Sequence, residues 1–131
     1  MQIPKYLIIF SSLGHMLGFI FGGLDHPFDA SWASHARFHV VLGLFWVAGL
    51  DLIAIIIATG PLARAEPWSC RVLLVNLVLN HLAYFGAILI VPEGQPVELY
   101  KNILFAVNVC IYAAGLGLGW RHLSSARCGM M

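Results

Sequence analysis

The sequence predicts an all-α integral membrane protein, a four-helix bundle whose N- and C-termini both lie in the cytoplasm. Only 10% of its 131 residues are charged, against about 25% in a typical water-soluble domain. The mean hydropathy is +0.86, and four apolar segments each approach the ~20 residues that an α-helix needs to cross a bilayer. Backbone groups in lipid must bond within the segment, so these segments are expected to be helices.

The four predicted helices cover about residues 6–24, 38–59, 72–91 and 102–120, within a single transmembrane domain spanning residues 1–131. Turn-forming residues separate them in the order Asp25-His26-Pro27, Gly60-Pro61 and Pro92-Glu93-Gly94-Gln95-Pro96. Little sequence remains for a separate soluble domain, so the lipid bilayer is the first expected partner.

The distribution of lysine and arginine along the chain predicts its orientation in the membrane. Only Arg37 and Lys101 fall on one side of a four-pass chain. The other side collects Lys5, Arg64, Arg71, Arg121 and Arg127. Cytoplasmic loops of membrane proteins are enriched in these residues, so this second side is predicted to be cytoplasmic, in the inner membrane of a bacterium.

Composition also excludes some functions and leaves others open. A net charge of +1 provides no basic surface for nucleic acid. The three cysteines include no C-x-x-C pair, which argues against a disulfide framework or a thiolate metal site. Glycines recur at four-residue spacing, a pattern that allows close helix packing within the chain or a homo-oligomer. They are Gly14, Gly18, Gly22, Gly115 and Gly119.

Polar residues fall near one depth in all four predicted helices. An ionisable group inside a membrane span is costly and is by default a functional candidate. The residues within a few ångströms of the midplane are His15, Asp51, Asn80, His81 and Asn108. Because His81 follows Asn80 by ~100° around a helix, one of the two is expected to point toward a neighbouring helix. The predicted substrate-binding residues are Asn80, His81, Asn108, Tyr112 and Trp32.

The start of the second helix carries the densest group of ionisable residues. His35 and His39 are four residues apart and therefore share one helix face. This spacing suits two imidazoles that bind one metal ion, or a proton relay between them. Asp51 lies ~160° from His35 on an ideal helix. Either the helix is distorted, or the two residues occupy opposite margins of a wide interior face.

The run W-x-x-H-A-R-F-H covers Trp32 to His39. In this run the chain resembles a group of small, uncharacterised multi-pass membrane proteins. The resemblance covers the first two helices and, more loosely, the length of the chain. It implies four helices and a functional role for His35, Arg37 and His39, but no particular reaction.

Three functions are compatible with these patterns. The first is an enzyme of isomerase, hydratase or cyclase type that uses no cofactor and acts on a lipophilic small molecule. Histidine titrates near neutral pH, which suits acid–base chemistry. His35 and His39 would form the acid–base pair. Asp51 or His15 would orient this pair or stabilise its charge, and Arg37 would anchor a polar head group.

The second function is a transition-metal or haem site, with His35, His39 and His26 as the metal ligands. Against it, the sequence contains neither H-E-x-x-H nor C-x-x-C-H. The third is a non-catalytic accessory or assembly subunit whose polar residues only join helices, since interhelical Asn and His hydrogen bonds are a normal packing device in lipid.

Overall fold

A computed structural model of the chain describes residues 2–23, 26–90 and 99–128. These residues form helices and no strand. In chain order the elements are α1 (Gln2–Gly23), a 3₁₀ turn (His26–Phe28), α2 (Ser34–Thr59), α3 (Ser69–Asn76), a π-helical turn (Leu77–His81), α4 (Ala83–Ile90) and α5 (Leu99–Cys128). The predicted turn between the third and fourth helices, and Leu24 and Asp25, lie outside the described residues.

Four helices among the described residues are long and apolar enough to cross a membrane, because α3, the π turn and α4 together form one such helix. This confirms the predicted all-α class and the number of apolar helices. Large apolar side chains cover the exterior, including Phe10, Phe45 and Leu104. Extended exposed apolar surface of this kind marks a face that meets a membrane or a partner rather than water.

All four predicted helices begin earlier in the structure than predicted, at Gln2, Ser34, Ser69 and Leu99 rather than at residues 6, 38, 72 and 102. The last helix, α5, also continues to Cys128, well past residue 120. Hydropathy marks the apolar part of a helix, whereas backbone hydrogen bonding continues into the polar flanks. As a result, His35 and Arg37 are helical residues rather than loop residues.

Within residues 2–23, 26–90 and 99–128, the helices pack tightly in only one half of the bundle. In this half α1 lies against α2 and α5, and the buried apolar side chains come from the start of α1 and α3 and the end of α2 and α5. They include Ile8, Ala58, Leu73, Leu116 and Leu123. In contrast, α4 buries none of its eight residues. The other half, which contains α4, is therefore loosely packed.

One predicted glycine face serves packing inside the chain. At Gly115 an added Cβ would lie 3.0 Å from Ile8 Cγ1 and 3.0 Å from Leu7 Cβ, so the absence of a side chain lets α5 approach α1. At Gly18 and Gly22 an added Cβ would contact nothing within 4 Å in the described part of the chain. A homo-oligomer formed through that part of α1 stays a prediction.

Candidate metal centre

Asp51 lies at the centre of a polar cluster between three helices. Its side chain and that of His15 have no exposed surface, and His15 Nδ1 lies 2.8 Å from Asp51 Oδ2. Asn80 Nδ2 donates to Asp51 Oδ1 at 3.0 Å. His81 Nε2 lies 3.6 Å from the same oxygen and is also fully buried. The structure therefore brings together four of the polar residues that the sequence placed at one depth.

The cluster has bonding capacity that the described residues do not use. His15 Nε2 and both ring nitrogens of His81 are buried and have no hydrogen-bond partner within that part of the chain. A buried polar group without a partner costs about 1–3 kcal/mol. The buried carboxylate of Asp51 also requires a cation, which is either a proton shared with His15 or a metal ion.

The donor atoms are spaced for a metal ion. One ligand atom each from His15, Asp51 and His81 lies within 4.8 Å of the other two. Bonds of ~2.1 Å from a tetrahedral ion to nitrogen and oxygen place two ligand atoms ~3.4 Å apart. His15 Nδ1 lies 2.8 Å from Asp51 Oδ2, and His81 Nε2 lies 3.6 Å from the other carboxylate oxygen, Oδ1, so the two distances lie on either side of this value.

The π-helical turn explains why Asn80 and His81 can both reach Asp51. The α-helical spacing predicted that one of them would face a neighbouring helix, but both are buried beside the same carboxylate. Wider i→i+5 bonding, as between Leu82 N and Leu77 O, reduces the rotation per residue, which brings consecutive side chains closer together around the helix axis. Nothing in the hydropathy pattern marks this turn.

Aromatic rings surround the cluster. The His15 ring lies 4.9 Å from Phe19 and 5.2 Å from Phe105, measured between ring centroids. The His81 ring lies 4.4 Å from Tyr112 and only 4.3 Å from His15. Because the two imidazoles are already in contact, no haem fits between them. The site suits a single small ion.

The other polar residues near this depth mainly join helices. Asn108 Nδ2 donates to the Ser11 carbonyl at 2.9 Å, and Ser11 Oγ donates to Asn108 Oδ1 at 2.9 Å. The Tyr112 hydroxyl donates to Asn76 Oδ1 at 3.0 Å, and Asn76 Nδ2 donates to the Leu50 carbonyl at 2.8 Å. These bonds need no ligand, and the predicted substrate contacts of Asn108 and Tyr112 stay predictions.

No protein-family model, curated protein or solved structure matches this chain. Two imidazoles and one carboxylate form the donor set of many mononuclear iron and zinc sites, and such three-ligand sites leave coordination positions open.

The predicted catalytic histidines of α2 lie away from this centre. Both His35 and His39 are exposed, whereas Asp51 is buried, and the separation of 12 positions from His39 to Asp51 corresponds to ~18 Å of α-helix. Arg37 is half-buried, and its Nε has no hydrogen-bond partner in the described part of the chain. The structure thus does not place the predicted acid–base pair, His35 and His39, in the same site as Asp51.

The loop before α2 has its own local order. The hydroxyl and the backbone N–H of Ser31 donate to Asp29 Oδ1 at 2.7 and 2.8 Å. Both bonds lower the pKa of Asp29 below its ordinary value, and the bond from the hydroxyl has the larger effect. The His26 ring stacks on Trp32 with centroids 4.8 Å apart. Trp32 is therefore held by the loop, and its predicted contact with substrate stays a prediction.

Proposed function

We propose that this protein is a membrane-embedded enzyme that binds one divalent transition-metal ion through His15, Asp51 and His81 and acts on a lipophilic small molecule. One observation carries the proposal: three donor groups from three helices meet in a buried site, with their ligand atoms within 4.8 Å of one another. Structural metal sites are closed by four ligands, whereas catalytic sites keep a position open. Three protein ligands therefore favour catalysis.

The remaining residues of the centre have supporting roles in this proposal. The bond from Asn80 fixes the orientation of the Asp51 carboxylate, as groups behind the ligands do in other metal sites. Phe105 and Tyr112 exclude water from the two imidazoles. A bound ion would polarise a carbonyl or activate a water molecule, which is compatible with isomerisation, hydration or cyclisation.

Access to the centre is expected from the α4 side of the bundle. The centre lies at the edge of the tightly packed half, and α4 buries none of its residues. An apolar molecule dissolved in the bilayer could enter through this loosely packed half without crossing water. Four apolar helices support location in a membrane, and the distribution of lysine and arginine supports the bacterial inner membrane with both termini in the cytoplasm.

This proposal changes two sequence-based predictions. The acid–base pair predicted at His35 and His39 is replaced by the buried centre, because these exposed residues lie ~24 Å and ~18 Å along α2 from Asp51. The predicted absence of a cofactor is replaced by a metal ion, held by His15, Asp51 and His81 rather than by the predicted ligands His35, His39 and His26.

Elemental analysis of the detergent-purified full chain, after brief treatment with a chelator, tests the proposal. We expect about one iron or zinc ion per chain in the parent protein. His81→Phe should lose it, because phenylalanine keeps the ring packing against Tyr112 but offers no ligand. His81 is the best position for this test since its ring makes no hydrogen bond to the described residues, so Asp51 retains both of its bonds.

His39→Phe is the matched control, with the same substitution at an exposed position. It should retain the chelator-resistant ion. A parent protein that contains no ion after purification and also fails to take one up from Fe²⁺ or Zn²⁺ solution would contradict the metal proposal. Equal metal content in the parent and in His81→Phe would contradict the ligand assignment.

A second candidate function is an acid–base enzyme without a metal ion. The observation that favours it is the 2.8 Å approach of His15 Nδ1 to Asp51 Oδ2, which needs no ion and leaves His15 Nε2 without a partner. A carboxylate in this position fixes the tautomer of an imidazole base. Mass spectrometry of copurified lipophilic molecules would support it if a metal-free parent retains a compound that Asp51→Asn loses.

A further inference from the structure

A second pair of imidazoles lies at the beginning of α2, where the proposed function does not use it. The rings of His35 and His39 stand edge to face, with centroids 4.5 Å apart and planes at 89°. Their Nε2 atoms are 3.0 Å apart, and both side chains are exposed. Two ring nitrogens thus converge on one point at the surface.

This separation, which is that of a hydrogen bond, is also compatible with coordination of one metal ion. With metal–nitrogen bonds of ~2.1 Å, two ligands at a right angle are ~3.0 Å apart, and two ligands at a tetrahedral angle are ~3.4 Å apart. The observed 3.0 Å matches the right angle. Square-planar and tetragonal sites with nitrogen and oxygen ligands are typical of Cu²⁺ and Ni²⁺.

We propose that His35 and His39 form a surface site for a tetragonal transition-metal ion, with Cu²⁺ bound most tightly. Without an ion, one Nε2–H donates to the other Nε2, so metal binding replaces a single hydrogen bond. Water can occupy the remaining coordination positions because both residues are exposed. The rigid helix holds the two ligands in register, which increases affinity over that of one imidazole.

The surrounding charges are compatible with this site. Arg37 lies ~160° around the helix axis from both His35 and His39, so its charge is on the opposite side of α2. Asp29, whose pKa is lowered by Ser31, remains ionised at neutral pH in the loop just before the helix. This site is separate from the buried centre, ~18 Å along α2, and stands whether or not that centre binds an ion.

Copper titration of the full chain in detergent tests the site. All of the compared proteins carry His81→Phe, which removes one ligand of the buried centre. Each protein is stripped of metal with a chelator before it is titrated with CuCl₂ in a calorimeter. We expect one Cu²⁺ per chain, with an electron paramagnetic resonance spectrum of a tetragonal ion bound to two imidazole nitrogens. His35→Ala and His39→Ala should each weaken binding by about a hundredfold, the lower limit of the gain from joining two ligands.

His26→Ala is the control, since His26 is exposed and belongs to the same end of the bundle but stacks on Trp32. It should leave the affinity unchanged. Equal affinities in the parent and in the His35→Ala/His39→Ala double variant would overturn the proposal, as would equal losses in His26→Ala and His39→Ala. If an alanine variant loses helicity by circular dichroism, His39→Gln, which keeps a polar side chain, provides the same test.

Discussion

The coupling between His15 and Asp51 provides the most direct test of the buried centre. Replacing His15 by leucine leaves a carboxylate with no exposed surface and only the Asn80 amide as a hydrogen-bond donor among the described residues. At pH 7, protonating an ordinary aspartate costs about 4 kcal/mol, from a usual pKa of ~3.9 and 1.36 kcal/mol per unit. Breaking a buried ion pair costs about the same, roughly 3–5 kcal/mol, and this is the cost expected for His15→Leu.

The partner variant Asp51→Asn removes the charge and preserves the shape. We expect it to cost about 1–3 kcal/mol, the penalty for an imperfectly bonded buried amide. The double variant His15→Leu/Asp51→Asn contains no buried charge and should cost a similar 1–3 kcal/mol, roughly. The sum of the two single costs therefore exceeds the cost of the double variant by about 3–5 kcal/mol.

The free energies of unfolding are measured by reversible denaturation in mixed micelles, followed by circular dichroism, on protein stripped of metal. A control cycle that pairs His39→Phe with Asp51→Asn should show additive costs to within about 0.5 kcal/mol, because the two residues lie ~18 Å apart along α2. If the costs of His15→Leu and Asp51→Asn instead add to within about 0.5 kcal/mol, Asp51 does not depend on His15, and the reasoning is refuted.

Two further predictions concern packing and the loop before α2. Gly115→Ala should lower the free energy of unfolding in the same denaturation assay by about 1–3 kcal/mol, because its Cβ would lie 3.0 Å from Ile8 Cγ1; Gly117→Ala, whose Cβ meets nothing within 4 Å in the described residues, should be neutral or stabilising. Ser31→Ala should raise the pKa of Asp29 toward its ordinary value in a carboxyl NMR titration, since Ser31 lowers it. The stability that this interaction contributes is present above the ordinary aspartate pKa and is lost as the pH falls through the lowered one.

The sequence was sufficient to predict the four apolar helices and part of the candidate centre. Hydropathy identifies such helices because each must satisfy its own backbone in lipid. Counting the helical rise also placed His15, Asp51 and Asn80 at one depth, and the structure joins these three by hydrogen bonds. Depth is predictable since the rise per residue is nearly constant in an α-helix.

The direction of side chains was less predictable than their depth. The angle of ~160° between His35 and Asp51 on an ideal α2 indicated that they face different ways, and the structure leaves His35 exposed and Asp51 buried. The sequence could not show which of the two groups forms the interior site. That choice depends on how α2 is rotated against its neighbours.

The sequence by itself determined the class of the protein, because charge content and apolar length decide whether a chain forms lipid-compatible helices. Only the tertiary structure decided that His81 joins Asp51, since a π-helical turn rotates it out of the α-helical register. It also decided that Gly115 serves packing between α1 and α5. Contacts between helices depend on rotation and local backbone bonding, which the spacing of residues along one helix does not specify.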